Sequence, residues 1–178
     1  GMVLAEWMET GNAPIDLWDV DISRMQPFQA NRSFLRTRVS ETLGLLYADH
    51  FPYRQFASAR GVRRSPIHHY LADQGACFGE ISGWERANWF LPEKAVNAGK
   101  TAAYEYSWKR QNWFDYSAAE HLAVRQSVGL FDMSSFGKIK LVGRDAEAVL
   151  QRIAANAVAV PIGKIVYTQF LNEAGHIE

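Results

Sequence analysis

Along residues 33–49, Phe34, Leu35, Val39, Leu43, Leu46 and Tyr47 recur at helical intervals with Arg36, Arg38, Ser40 and Glu41 between them. That spacing predicts an amphipathic helix, stopped by Pro52. A shorter helix is expected over Met2 to Glu9, where apolar and acidic residues run up to the breakers Gly11, Asn12 and Pro14. Arg60, Gly61, Arg63, Arg64, Ser65 and Pro66 read as an exposed basic turn. From Ile67 to Pro92 the helical period fades. Gly75, Gly79 and Gly83 recur every four residues among Phe78, Ile81 and Trp84, a pattern that suits short strands and turns. Ala95 to Lys100 reads as a linker.

The last third is better punctuated. Ser117 and Glu120 form a capping-box pattern ahead of a helix through His121 to Val128, ended by Gly129. Phe136 to Val142 reads as a strand turned by Gly143, and Asp145 caps a helix that carries Ala148, Val149 and Ile153 on one side. Ile165 to Leu171 reads as another strand, with Asn172 to Gly175 as its turn and His176 and Ile177 opening a partner. A strand followed so soon by the end of the chain is what a truncated domain looks like, and it would leave an edge of unpaired backbone groups.

Composition narrows the functional classes. The chain has 178 residues, 48% hydrophobic and 21% charged, with 19 basic against 19 acidic side chains and a pI near 7.2. It lacks the long-range positive field on which nonspecific nucleic-acid binding depends. No apolar run is long enough for a membrane span, and no signal peptide is evident at the N-terminus. The single cysteine, Cys77, makes neither an intrachain disulfide nor a thiolate metal cage, so a reducing compartment, the cytoplasm, is expected. Aromatic residues make up 13%, and Trp84, Trp89, Trp108 and Trp113 fall close together, which suits either packing or a stacked ligand.

Motifs for chemistry are sparse. No GxGxxG, Walker, HExxH or CxxC sequence occurs, and no Gly-x-Ser-x-Gly elbow. The adjacent His68 and His69 point in different directions on either a helix or a strand, a poor metal pair, and no metal is expected. Asp19 and Asp21 would share a face of an extended segment, as solvated acids commonly do. The richest stretch is Gly83 to Phe90, where Trp84 and Trp89 bracket Glu85 and Arg86. One reading is structural, with Arg86 stacked on a Trp face and paired with a carboxylate. The other has the same side chains line a cavity for a small cationic or carboxylate-bearing ligand.

Several of these residues together resemble a known family. Leu4-Ala5-Glu6-Trp7-Met8, Asp16-Leu17-Trp18, Asp19 to Arg24, Ser65-Pro66, Gly83 to Arg86 and Asn88-Trp89-Phe90 are similar to the dimethylglycine and sarcosine dehydrogenases. Glu120 to Arg125, Val128 to Lys138, Tyr167-Thr168 and Leu171-Asn172-Glu173 resemble the start of the glycine-cleavage T-protein domain that follows the flavin part in those enzymes. Ser134-Ser135-Phe136 matches the dehydrogenase branch, where stand-alone T proteins tend to carry Ser-His-Met. Ala157 and Ala87 depart from the family's usual Asp and Pro.

The resemblance implies an α+β fold: a small connecting domain of helices with a small antiparallel sheet, then the N-terminal part of a T-protein-like, folate-binding domain. The boundaries it implies are 1–54 for the tail of the FAD domain, 55–112 for the connector and 113–178 for the truncated T-protein-like part. The full-length family uses FAD to oxidise an N-methylated amine and tetrahydrofolate to capture the one-carbon unit. Neither cofactor is expected in this fragment, since the dinucleotide-binding sequence is missing and the family's essential aspartate would lie just beyond Glu178. By resemblance Tyr167 contacts folate, Met133 and Ser134 lie on the folate-side turn, and Trp84, Glu85, Arg86 and Trp89 are channel or structural residues. No catalytic residue is assigned. Self-association, or docking on an FAD-domain chain, is expected to cover the aromatic surface.

Overall fold

A computed structural model describes residues 1–17 and 20–177. Trp18 and Asp19 therefore lie outside the described residues, and the expected Asp19–Asp21 pair with them. The chain forms two compact units, Gly1–Ser135 and Phe136–Glu178.

The first unit opens with α1 (Met2–Thr10), closed at Gly11 in the left-handed region, and passes through 3-10 turns at Ile22–Arg24 and Pro27–Ala30. The long helix α2 (Arg32–Tyr47) starts where Asn31 Oδ1 accepts the Ser33 N–H at 2.8 Å, which satisfies a donor that the first turn would otherwise leave open. Its buried residue is Arg38, whereas Leu35, Val39, Leu43, Leu46 and Tyr47 are exposed. The predicted helix is present, but its apolar stripe is not the face it buries within this unit.

The glycine-spaced middle forms an antiparallel hairpin, β1 (Ala76–Ile81) and β2 (Trp84–Phe90). Ser82 and Gly83 join the strands with φ of 49° and 79°, the double left-handed turn whose twist matches a two-residue hairpin. A side chain at Gly83 would also collide with the Phe28 ring. The register runs from Ile81↔Trp84 to Phe78↔Ala87, then shifts so that Cys77 faces Trp89, and Asn88 is the extra residue. Two short helices, α3 (His68–Asp73) and α4 (Glu93–Asn97), flank the hairpin where strands and a linker were predicted. They are too short to display a helical period.

Cys77, Trp89 and Leu91 make the core, with Val96, Tyr104, Trp113 and Tyr116 packed against them. Helix α5 (Phe114–Gln126) begins before the predicted capping box. Its Glu120 Oε1 instead accepts the Phe90 N–H at 2.7 Å and ties the helix to the end of β2.

In the second unit α6 (Ala146–Ile153) follows Asp145 as expected, although the Asp145 side chain makes no capping bond and pairs with Arg144 at 3.2 Å. The strands expected at 136–142 and 165–171 are not formed as ladders among the described residues. What pairs there is the bridge Ala154↔Phe170 and, across the predicted Asn172–Gly175 turn, Leu171↔Ile177. Apolar and β-branched residues supply the composition of a strand, but a ladder also needs a neighbour along its length.

Candidate functional site

The candidate residues are organised by β2 and the segments folded against it. Glu85 is 7% exposed, and three donors converge on its carboxylate. Arg60 Nε and Nη2 donate to Oε1 and Oε2 at 2.9 and 2.5 Å, and the Gly61 N–H donates to Oε1 at 2.6 Å. Burial works to raise the Glu85 carboxyl, but the Arg60 bonds, the Gly61 N–H and the Arg60 charge outweigh it and hold the group below its ordinary value. The bond from Glu85 in turn raises Arg60 against the opposing effect of burial. Arg60 also donates to the carbonyls of Phe56 and Phe78 at 3.2 and 3.0 Å. A carboxylate so engaged, and held below its ordinary value, is a structural anchor and a poor general base near neutrality.

A second ion pair stands beside the first. Arg38 Nη1 donates to Glu80 Oε2 and Arg38 Nη2 to the Ser58 carbonyl, both at 2.7 Å, and the guanidinium lies 4.3 Å from the Phe56 ring centre. Glu80 accepts the Gly83 N–H at 2.6 Å, so the pair also holds the hairpin turn. Glu41 on α2 accepts the N–H groups of Ala57 and Ser58. Burial opposes the charge on Glu41, but these bonds prevail and lower its pKa. The predicted exposed basic turn is thus corrected in part: Arg60 is half-buried, drawn inward by Glu85 on β2, and Ser65 is buried, while Arg64 and Pro66 are exposed.

Arg63 stacks on Trp84, its guanidinium 4.4 Å from the ring centre, while the Arg63 carbonyl accepts the Glu85 N–H at 2.9 Å. One of the two sequence readings had Arg86 stacked on a Trp face and paired with a carboxylate. The structure gives stacking on Trp84 to Arg63 and pairing with Glu85 to Arg60, residues distant in the chain and invisible to local spacing. Trp89 is 2% exposed, parallel to Tyr116 at 5.3 Å and edge-on to Tyr104 at 6.2 Å. It serves the core.

Trp84, Glu85 and Arg86, consecutive on β2, and Met133, distant in the chain, line one cavity of about 560 Å³. Glu120 and Phe131, which the sequence reading had not named as site residues, line it as well. Ser134 flanks the cavity in a turn where its N–H donates to Asp132 Oδ1 at 3.0 Å, and it is Ser135 that reaches the lining. Tyr167 belongs to the second unit and is 87% exposed. Asn156 Nδ2 donates to its carbonyl at 2.8 Å. A second cavity of about 650 Å³ is lined by Trp89, Tyr104, Tyr106 and Trp108 among others. Both volumes lie in the range of small-ligand sites.

Burial pushes the Cys77 thiol up to about 11, which removes it as a nucleophile. The His68 imidazole is lowered, mainly by burial, and packs 4.3 Å from the Phe78 ring centre. Among the described residues no cluster of three or more His, Cys, Asp or Glu side chains could hold a metal ion. β1 and β2 are joined by a two-residue turn, so the hairpin offers no glycine-rich strand-to-helix turn of the kind that seats a dinucleotide pyrophosphate. The first cavity has aromatic and thioether walls at Trp84, Phe131 and Met133, and its lining also holds Arg86 and His121 and the carboxylates Glu85, Glu120 and Asp132.

Two family models match the chain: the FAD dependent oxidoreductase central domain over residues 10–65 and the GCVT N-terminal domain over residues 67–178. Over the whole chain it is 46% identical to 4-methylaminobutanoate oxidase (formaldehyde-forming) of Paenarthrobacter nicotinovorans, covering 21% of that protein. It is 36% identical to the mitochondrial pyruvate dehydrogenase phosphatase regulatory subunit of Mus musculus and 31% identical to the mitochondrial sarcosine dehydrogenase of the same organism, covering 20% and 22% of them. The chain spans about a fifth of the length of these curated relatives.

Proposed function

Because the chain belongs to the family defined by the GCVT N-terminal domain, here preceded by an FAD dependent oxidoreductase central domain, we propose that it is part of a cytoplasmic enzyme that oxidises the N-methyl group of an amino acid and passes the one-carbon unit to tetrahydrofolate. The relatives named as acting on 4-methylaminobutanoate and sarcosine support the substrate class. FAD and the oxidation are assigned to the rest of the polypeptide; among the described residues, the β1–β2 hairpin offers no dinucleotide seat.

The observation that carries the folate part is the convergence of Trp84, Arg86 and Met133 on one cavity. Trp84, Phe131 and Met133 would flank the pterin and exclude water from it, and Arg86 would hold the acidic tail. The bound folate supplies a nucleophilic reduced ring that takes up carbon at the formaldehyde level. Glu85 fixes β2 through Arg60, and so the position of Trp84 and Arg86 on either side of it. Tyr167 is carried as a folate contact by the family resemblance alone.

The test uses the full-length polypeptide and an N-methylated amino acid. Tetrahydrofolate is expected to suppress formaldehyde release, and Arg86→Ala to restore that release while amine-dependent bleaching of the flavin is unchanged. Equal formaldehyde with and without tetrahydrofolate would overturn the folate assignment. The 178-residue chain alone is expected to be colourless and inactive. Stoichiometric yellow flavin on it, bleached by the amine, would overturn the placement of the oxidation. A second reading, a subunit-docking module without catalysis, is favoured by the relative named as a regulatory subunit. Absence of any amine-dependent flavin reduction in the full-length polypeptide would select it.

A further inference from the structure

Helix α2 is built inside out. Phe34, Arg38, Glu41 and Leu45, spaced by three and four, turn toward the rest of the first unit; Arg38 is buried and the other three are half-buried. Phe34 meets the Phe28 ring edge-on at 5.3 Å, Arg38 pairs with Glu80, and Glu41 holds the N–H groups of Ala57 and Ser58. The other face carries Leu35, Val39, Leu43, Leu46 and Tyr47, whose exposure runs from 42% at Leu35 to 83% at Tyr47. Charge points in and hydrocarbon points out, the reverse of an ordinary surface helix.

The size of this strip decides what kind of cover it needs. A large side chain offers on the order of 150–250 Å², so at these exposures the five residues leave roughly 500–700 Å² of apolar surface in one band. A monomeric protein seldom leaves a larger patch open. Two such bands in contact would bury about 1,000–1,400 Å², the low end of what a specific protein pair uses.

The ends of α2 select the partner. No acidic residue lies in its first turn and no basic one in its last. Arg32 and Arg36, both exposed, stand instead at the N-terminal end of the strip, where the helix dipole is already positive. A second α2 laid antiparallel on the strip removes the mismatch, because the arginines of each copy come to the carbonyl end and Asp49 of the other. A two-fold axis crossing the strip midway between Val39 and Leu43 sets Leu35 against Tyr47 and Val39 against Leu43, each contact made twice.

We propose that the outward strip of α2 is a homodimer interface on which a second copy of the chain lies antiparallel. An interface of this size makes the dimer reversible, with a dissociation constant on the order of micromolar. The inference does not rest on the folate reading, and either can fail without the other.

The test is analytical ultracentrifugation of the 178-residue chain and of the full-length polypeptide over roughly 1–200 µM, a range that brackets such a constant. A monomer–dimer equilibrium that saturates at two copies is expected for both. Leu43→Glu puts a charge in the middle of the strip and is expected to weaken the dimer at least about a hundredfold, since the symmetry buries it twice. Arg32→Glu tests the sign of the electrostatics. It suits the dipole of its own helix, so the thermal midpoint of the monomer should hold or rise while the dimer weakens about tenfold. Both positions are exposed, and circular dichroism checks that each variant keeps its helices. A monomer at every concentration, association beyond two copies, or a dimer indifferent to Leu43→Glu or to Arg32→Glu would each overturn the proposal. A full-length polypeptide that stays monomeric would also overturn it, and shielding of Leu43→Cys from a thiol reagent there would assign the strip to the rest of that polypeptide.

Discussion

Removing either partner of the Arg60–Glu85 pair should destabilise the first unit, and the two removals should not cost the same. Breaking a buried pair by deleting one side costs on the order of 3–5 kcal/mol, because the remaining charge is stranded. The Arg60 side chain is 30% exposed and that of Glu85 is 5%. In Glu85→Ala the stranded guanidinium still donates to the Phe56 and Phe78 carbonyls and reaches water, so the loss is set at about 2 kcal/mol after discounting for solvent. In Arg60→Ala the stranded carboxylate keeps only the Gly61 N–H, and about 4 kcal/mol is expected. All six tryptophans precede residue 136, so fluorescence-monitored urea unfolding reads the first unit alone. The pH profile provides a second readout. Glu85 and Glu41 have folded pKa values below their unfolded ones, so their stabilisation is present above the ordinary carboxylate value of about 4.3 and is lost as pH falls through the folded values. Glu85→Gln should flatten that acid limb, leaving the smaller contribution of Glu41. Equal losses in the two alanine variants, or an unaltered acid limb in Glu85→Gln, would refute the assignment of Glu85 as a charged anchor.

Two further outcomes follow from the core and its rim. The Cys77 thiol, buried and pushed up to about 11, should react with a thiol reagent at pH 8 only after denaturation, and prompt reaction of the native chain would contradict its burial. Glu120→Ala removes the acceptor of the Phe90 N–H and should cost about 1–2 kcal/mol, with faster amide exchange at Phe90 than at the Leu91 N–H, which the Gly75 carbonyl holds independently.

Local pattern was enough to find α2 and α6 and to expect short strands and turns around Gly75, Gly79 and Gly83, because each carries its signal within a few residues: the helical repeat from Phe34, the spaced glycines, and Asp145 ahead of Ala148 and Val149. Partnership was not legible. Nothing in the spacing of α2 says that Arg38 faces inward, since its reason is Glu80, on another element. Glu120 has the spacing of a capping box, yet the helix starts earlier and its carboxylate serves β2. The run of β-branched and aromatic residues at 165–171 is real, but pairing there is confined to isolated bridges. Of the candidate site, Trp84, Glu85 and Arg86 were named from their local chemistry and Met133 through family resemblance, and the meeting of Met133 with the other three at one cavity is a property of the fold.

The extra residue at Asn88 has a consequence for how the hairpin separates its chemistry. In an uninterrupted strand Glu85 and Trp89, four residues apart, would point to the same side. The shift pairs Trp89 with Cys77 but leaves Glu85 opposite Glu80, so the two project to opposite sides. One side becomes an electrostatic layer in which Arg60 and Arg38 meet Glu85 and Glu80; the other is an aromatic layer in which Trp89 meets Tyr116. A single inserted residue thus acts as an insulator, keeping four ionised groups out of the apolar medium that packs around Trp89. Deleting Asn88 would drive one layer into the other.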